Sequence, residues 1–94
     1  MNVIAKARPA SANRIDLSRT FIRRTDLSGA SLVGANLSHA DCTNAVFRGA
    51  DFKDAILDGT ILKGADLSGA VNLTREQIRQ AIIDERTVLP DGLR

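Results

Sequence analysis

Apolar residues recur at every fifth position from Ile15 to Gly69. Divided without a gap, the segment reads IDLSR, TFIRR, TDLSG, ASLVG, ANLSH, ADCTN, AVFRG, ADFKD, AILDG, TILKG and ADLSG, eleven quintets in all. The middle position is Leu17, Ile22, Leu27, Leu32, Leu37, Cys42, Phe47, Phe52, Leu57, Leu62 and Leu67, apolar throughout, and the residue two places before it is small in all but Ile15. The other positions are mainly polar, charged or glycine. In an α-helix five residues rotate the chain by about 500°, or about 140° net, so these side chains would spiral around the cylinder. In a continuous strand an odd spacing sends alternate members to opposite faces, and one buried side could never collect them. The pattern instead predicts a short extended piece and a bend in every quintet, with the central residue and its small companion turned toward a common axis. Six of the seven glycines (Gly29, Gly34, Gly49, Gly59, Gly64 and Gly69) occupy the last quintet position, where the chain must bend.

The lettering A(D/N)(L/F)(S/T/R/K)G, sustained over residues 15–69, resembles the pentapeptide repeat family. That resemblance implies an all-β solenoid, a right-handed quadrilateral β-helix with four repeats per coil. Eleven repeats then make just under three coils, a tower about 13 Å tall at about 4.8 Å per coil. It also implies that residues twenty apart stack, which puts Leu17, Leu37 and Leu57 in one inner column. Ile22, Cys42 and Leu62 form the next, Leu27, Phe47 and Leu67 a third, and Leu32 lies over Phe52 in the fourth. Cys42 takes a leucine's place and reads as a small buried hydrophobe rather than a nucleophile.

A stack of coils exposes an apolar cross-section and unpaired backbone at each end, so its ends need covering. Residues 1–14 form a lead-in whose "NVIA" is a candidate covering strand for the upper, N-terminal end. Residues 70–94 read as the lower cap. After Gly69 the phase slips by one; Thr74 and Gln77 fit a capping box, Leu73 and Ile78 a hydrophobic staple, and Ile78, Ala81 and Ile82 one helical face. These signals predict a helix over about 75–83. The following "DERTVLPDGL" resembles the C-terminal tail often seen in the family, an extended segment lying back against the tower, with Val88 and Leu89 partly buried.

Composition changes this picture little. The 94 residues are 44% hydrophobic and 26% charged, consistent with one small soluble domain. With no Trp, no Tyr and three Phe, a conventional interior would lack its bulky filling, so repetition must supply the contacts. The single cysteine cannot form an internal disulfide and has no Cys or His partner at metal-ligand spacing, which predicts a reduced, cytoplasmic setting. No apolar stretch approaches the roughly 18 residues of a membrane span, so no membrane partner is expected.

Charge is lopsided. Residues 1–24 carry six basic groups and one acidic, residues 25–69 three and six, and residues 70–94 four of each. Arg19, Arg23 and Arg24 would ring the first coil, with Arg14 just above. Such a cluster either keeps two open ends from pairing or forms a docking site for an acidic partner.

No catalytic constellation emerges, and neither an enzyme activity, a cofactor nor a metal is expected. His39, the only histidine, falls at an outward bend. "GASLVG" lacks the Lys-Ser/Thr of a phosphate loop. Asp26, Asp41, Asp51 and Asp66 occupy one outward quintet position on different faces, and Asp26 and Asp66, which share a face, lie two coils apart. What remains is surface. Phe21 and Ile61 fall in one outer column, Ile56 on the adjoining face, and Val33 and Val46 elsewhere, placed either for strand propensity or for contact. The expected function is a non-enzymatic protein-interaction or assembly scaffold that self-associates, with a homodimer through the helical cap or one of these faces as its concrete form. The resemblance implies an alternative, since some family members mimic DNA and modulate topoisomerase with a long, strongly acidic tower. This chain is short, with an isoelectric point of about 9.2, and departs from that pattern. Direct nucleic-acid binding by the arginines is disfavoured too, because the middle of the tower is acidic and few aromatics are exposed to stack bases.

Overall fold

The computed structural model describes residues 15–94; Arg14 and the "NVIA" segment expected to cover the upper end lie outside the described residues. The fold is legible in where each quintet's N–H groups go. Around Leu37, the Leu37 N–H donates to the Ile56 carbonyl (2.9 Å) and the His39 N–H to the Asp58 carbonyl (2.9 Å), both in the coil below. Asp41 N–H points the other way, to the Thr20 carbonyl above (2.8 Å), and Ala40 N–H closes the bend on Leu37 O (3.0 Å). The fifth donor, Ser38 N–H, is taken by the Asn36 side chain (3.0 Å). Every donor of the quintet therefore has an acceptor, as a buried backbone requires.

This pattern yields parallel bridges between residues twenty apart, such as Asp16 with Asn36, Asn36 with Ile56, and Asp41 with Ile61. Each coil thus consumes four quintets. The bridges are isolated because two of every five residues turn the corner, leaving too short an extended piece for a ladder strand. The corners share one backbone conformation. Position five has φ between 56° and 72° in all eleven quintets, six times glycine and otherwise Arg19, Arg24, His39, Asn44 and Asp54. This left-handed region costs a non-glycine residue roughly 1–2 kcal/mol, so the glycine preference follows from the corner itself.

Inside, Leu37, Cys42, Phe47, Phe52, Leu57, Leu62 and Leu67 are completely buried and Leu32 nearly so. Alanines 35, 40, 45, 50 and 65 are equally inaccessible, and Phe47 and Phe52 meet edge to face with centroids 5.4 Å apart. Thr60 takes an alanine's place without leaving a polar atom unpaired, donating its hydroxyl to Leu37 O at 2.6 Å. Leu17, Ile22 and Leu27, expected in the core, pack against it but are only half-buried at the upper end, whereas Leu32 of the same coil is 3% exposed.

The lower end is closed by substitution of side chains for a missing coil. Val71 still bridges Asp51 twenty residues back, but Ile82 bridges Ile61 at twenty-one and Val88 bridges Asp66 at twenty-two. The first extra residue enters at Asn72, which adopts φ 60°, so that Leu73 rather than Asn72 packs against the core. Helix α1 (Arg75–Gln80) then starts at Thr74, whose hydroxyl accepts the Gln77 N–H (3.1 Å) while the Gln77 side-chain oxygen accepts the Thr74 N–H (2.8 Å). The Gln77 amide group also donates to the Phe52 and Ala55 carbonyls, each at 2.9 Å. Farther along, the Asp84 carboxylate accepts the Gly64 N–H (3.0 Å) and the Thr87 hydroxyl donates to Leu62 O (2.7 Å).

Two expectations for this region need correction. The helix ends at Gln80, not near residue 83, because Ala81 is already extended and Ile82 returns to the wall, donating to Thr60 O and accepting from Leu62 N–H. Ile82 is therefore not on a helical face. Val88 is 41% exposed, since it occupies an outward bridge position, and the inward phase falls to Leu89, which packs against the core.

Candidate functional site

With the interior filled by side chains, the surfaces open to the outside are the walls and the two ends. The bridge positions make four outer columns: Asp16, Asn36, Ile56 on the first side; Phe21, Asp41, Ile61, Ile82 on the second; Asp26, Val46, Asp66, Val88 on the third; and Ser31, Asp51, Val71 on the fourth. Phe21 is 84% exposed, whereas Ile56, Ile61 and Val46 are half-buried by their column neighbours and the corners beside them. Ile61 lies directly above Ile82, so the second side carries two isoleucines on successive rungs. Ile82, 44% exposed, is an apolar contributor that sequence reading assigned to the helix; only the returned backbone turns it outward.

The outward aspartates are occupied as turn acceptors. Asp16 Oδ1 accepts the N–H and hydroxyl of Ser18 (3.0 and 2.7 Å), Asp26 does the same for Ser28 (3.0 and 2.6 Å), and Asn36 repeats the geometry with an amide oxygen. The serine hydroxyls, and the Thr43 hydroxyl at Asp41, hold these carboxyls below the usual carboxylate range. Asp66 is lowered chiefly by its short bond from Arg48 Nε (2.6 Å). These carboxylates are committed to structure, and among the described residues no three His, Cys, Asp or Glu side chains converge on a metal site. Burial pushes the Cys42 thiol up to about 12, which keeps it protonated at neutral pH. His39 is exposed, with its ring lying over Gly59 in the corner column.

The upper cluster is different. Arg19 and Arg24 hold left-handed corners (φ 60° and 56°) at either end of the short run containing Phe21. Arg23 reaches the Asp41 carboxylate at 3.7 Å with its side chain 57% exposed. Arg19 and Arg24 are exposed, and neither side chain has a hydrogen bond or ion pair among the described residues.

The repeat geometry coincides with a recognised sequence signature. The family model for pentapeptide repeats matches residues 13–41 and 30–69, with eight copies, and so covers more than half of the chain. The chain belongs to the pentapeptide repeat family. Its fold class is accordingly the family's right-handed β-helix solenoid. Among solved structures, this pentapeptide repeat protein is similar to one from the thylakoid lumen of Arabidopsis thaliana, with 18% identity over 86% of this chain and 66% of the other (TM-score 0.41). A pentapeptide repeat protein of the cyanobacterium Cyanothece 51142 matches at 24% identity over 94% and 69% (TM-score 0.42). One from Nostoc PCC 7120 matches at 28% over 85% and 78% (TM-score 0.36). The chain spans about two thirds of the length of the first two. No curated protein matches it.

Proposed function

We propose that this quadrilateral tower, just under three coils closed below by α1 and its tail, is a non-enzymatic scaffold for protein interaction that self-associates as a homodimer through the lower half of its second side. The supporting observation is the Ile61–Ile82 pair on successive rungs of one column, the second member 44% exposed. Apolar side chains on adjacent rungs form a continuous ridge, whereas the first and fourth columns carry one apolar residue each and Asp66 separates Val46 from Val88 in the third. The non-enzymatic reading is supported by the bridge-position carboxylates, which hold turns, and by the lone thiol, which is buried and protonated. An unpaired, buried cysteine fits a reduced cytoplasm, and among the described residues no helix is long and apolar enough to cross a membrane.

The DNA-mimic reading finds no support from a specific observation. No column carries aspartates on successive rungs, and Arg23 and Arg48 neutralise Asp41 and Asp66. The decisive experiment is mass determination in solution by sedimentation equilibrium. The parent should be a dimer, and Ile82→Glu a monomer that keeps the parent's far-ultraviolet circular dichroism and a cooperative melt, lowered only by the lost association. A parent that stays monomeric, or a variant that keeps the parent's mass, would overturn the homodimer.

A further inference from the structure

Resting on the interaction-scaffold reading, we propose that the upper edge of the second side is a second docking site, which adds an extended, acidic segment of a protein partner as a strand over Phe21. In the coils below, each bridge residue donates its N–H to the coil above, as Asp41 does to Thr20 and Val46 to Thr25. Among the described residues Phe21 N–H has no acceptor and Phe21 O no donor, which is the unsatisfied row that strand addition uses.

Charge selects the side and the occupant. The first and third sides place Asp16 and Asp26 at this rim, where they would repel a carboxylate-bearing strand. The second side has no acid at its rim, and instead sets Arg19 at one corner and Arg23 with Arg24 at the other. A second copy of this chain is the wrong occupant, because it would bring the same arginines against these. Arg19 and Arg24 sit where glycine is the unstrained choice, and neither gains a partner within the described residues to offset that strain. The same left-handed corner recurs at His39, Asn44 and Asp54, so it places the two arginines at the flanks of Phe21 and does not by itself mark the site.

The test uses the full chain, isotope-labelled, with the blocked peptide Glu-Val-Glu-Val-Glu and its Lys-Val-Lys-Val-Lys counterpart. The acidic peptide should bind saturably, slow exchange of the Phe21 amide at least about tenfold, and weaken about tenfold when salt is raised past the screening range. The double variant Arg19→Gly/Arg24→Gly, which relieves both corners and so keeps the fold, should lose at least about tenfold in affinity. Equal binding of the basic peptide, or unchanged affinity in the double variant, would overturn the proposal. So would a Phe21 amide already protected in the free chain, since the edge would then be covered from within. A short DNA duplex that binds through the same arginines with no added protection of Phe21 would make this a nucleic-acid site instead. Ile82→Glu should bind the peptide as the parent does: a dimer that ignores the peptide refutes only this site, and a monomer that binds it refutes only the homodimer.

Discussion

Two residue positions in each quintet are set by sterics, and they fail differently. Phe47 is fully enclosed against Phe52, so Phe47→Ala removes contacts the rigid coil cannot recover and should cost about 3–5 kcal/mol, measured by denaturant unfolding. At exposed corners such as Arg24 and Gly29, substitution acts chiefly through backbone strain. Arg24→Gly should raise stability by up to about 1 kcal/mol, while Gly29→Ala, with open space around its added Cβ but φ 72°, should lower it by about 1 kcal/mol. Cys42 should resist a thiol reagent at pH 8 until the protein is unfolded, because its thiol is both buried and held protonated.

At the scale of the element, the quintet works because its first polar residue is a local acceptor. Asp and Asn serve equally in that role at neutral pH, as Asp26 and Asn36 show, but only the aspartates titrate. Their folded values lie below the unfolded value of about 3.9, so their contribution is complete above that pH and is lost as pH falls through the folded values. Thermal melts should therefore show stability declining below about pH 4, and Asp26→Asn should shrink that decline while leaving neutral-pH stability nearly unchanged. Helix α1 depends on Thr74 and Gln77 unequally. Thr74→Ala removes a cap worth about 1 kcal/mol, whereas Gln77→Ala also strips the donors serving Phe52 O and Ala55 O and should cost more.

The whole molecule is a short stack in which each coil is held by its neighbours, so protection should follow position in the stack. Amides of the middle coil, such as those of Leu37 and Cys42, bond downward to a complete coil and are covered above. They should exchange slowest. The Leu67 amide, whose acceptor is Val88 O of the tail, should exchange faster than Leu37, and a ranking in the opposite order would show that the tail is the more stable partner. The two proposed contacts lie at opposite ends of one side: the apolar pair Ile61 and Ile82 below, and the rim at Phe21 with its flanking arginines above.

The period of five determined the bend in every quintet on its own, because steric rules allow few ways to bring every fifth side chain to one axis; four quintets to a coil followed from the family resemblance and is seen in the bridges at twenty residues. The quintet's central and small positions specified the interior residue by residue. What the letters could not convey was context. Leu17, Ile22 and Leu27 obey the same rule as Leu37 and Leu32 yet are half-buried, since enclosure depends on what packs above and below each position and not on the letter there. Ile82 and Val88 follow helix and tail signals locally, yet both turn outward, because open hydrogen-bonding groups on Thr60, Leu62, Ala65 and Leu67 draw the tail back to the wall. Local periodicity is a property of neighbouring residues and is written in the chain; the reach of an unsatisfied edge is a property of residues twenty or more apart, and only the folded molecule brings them together.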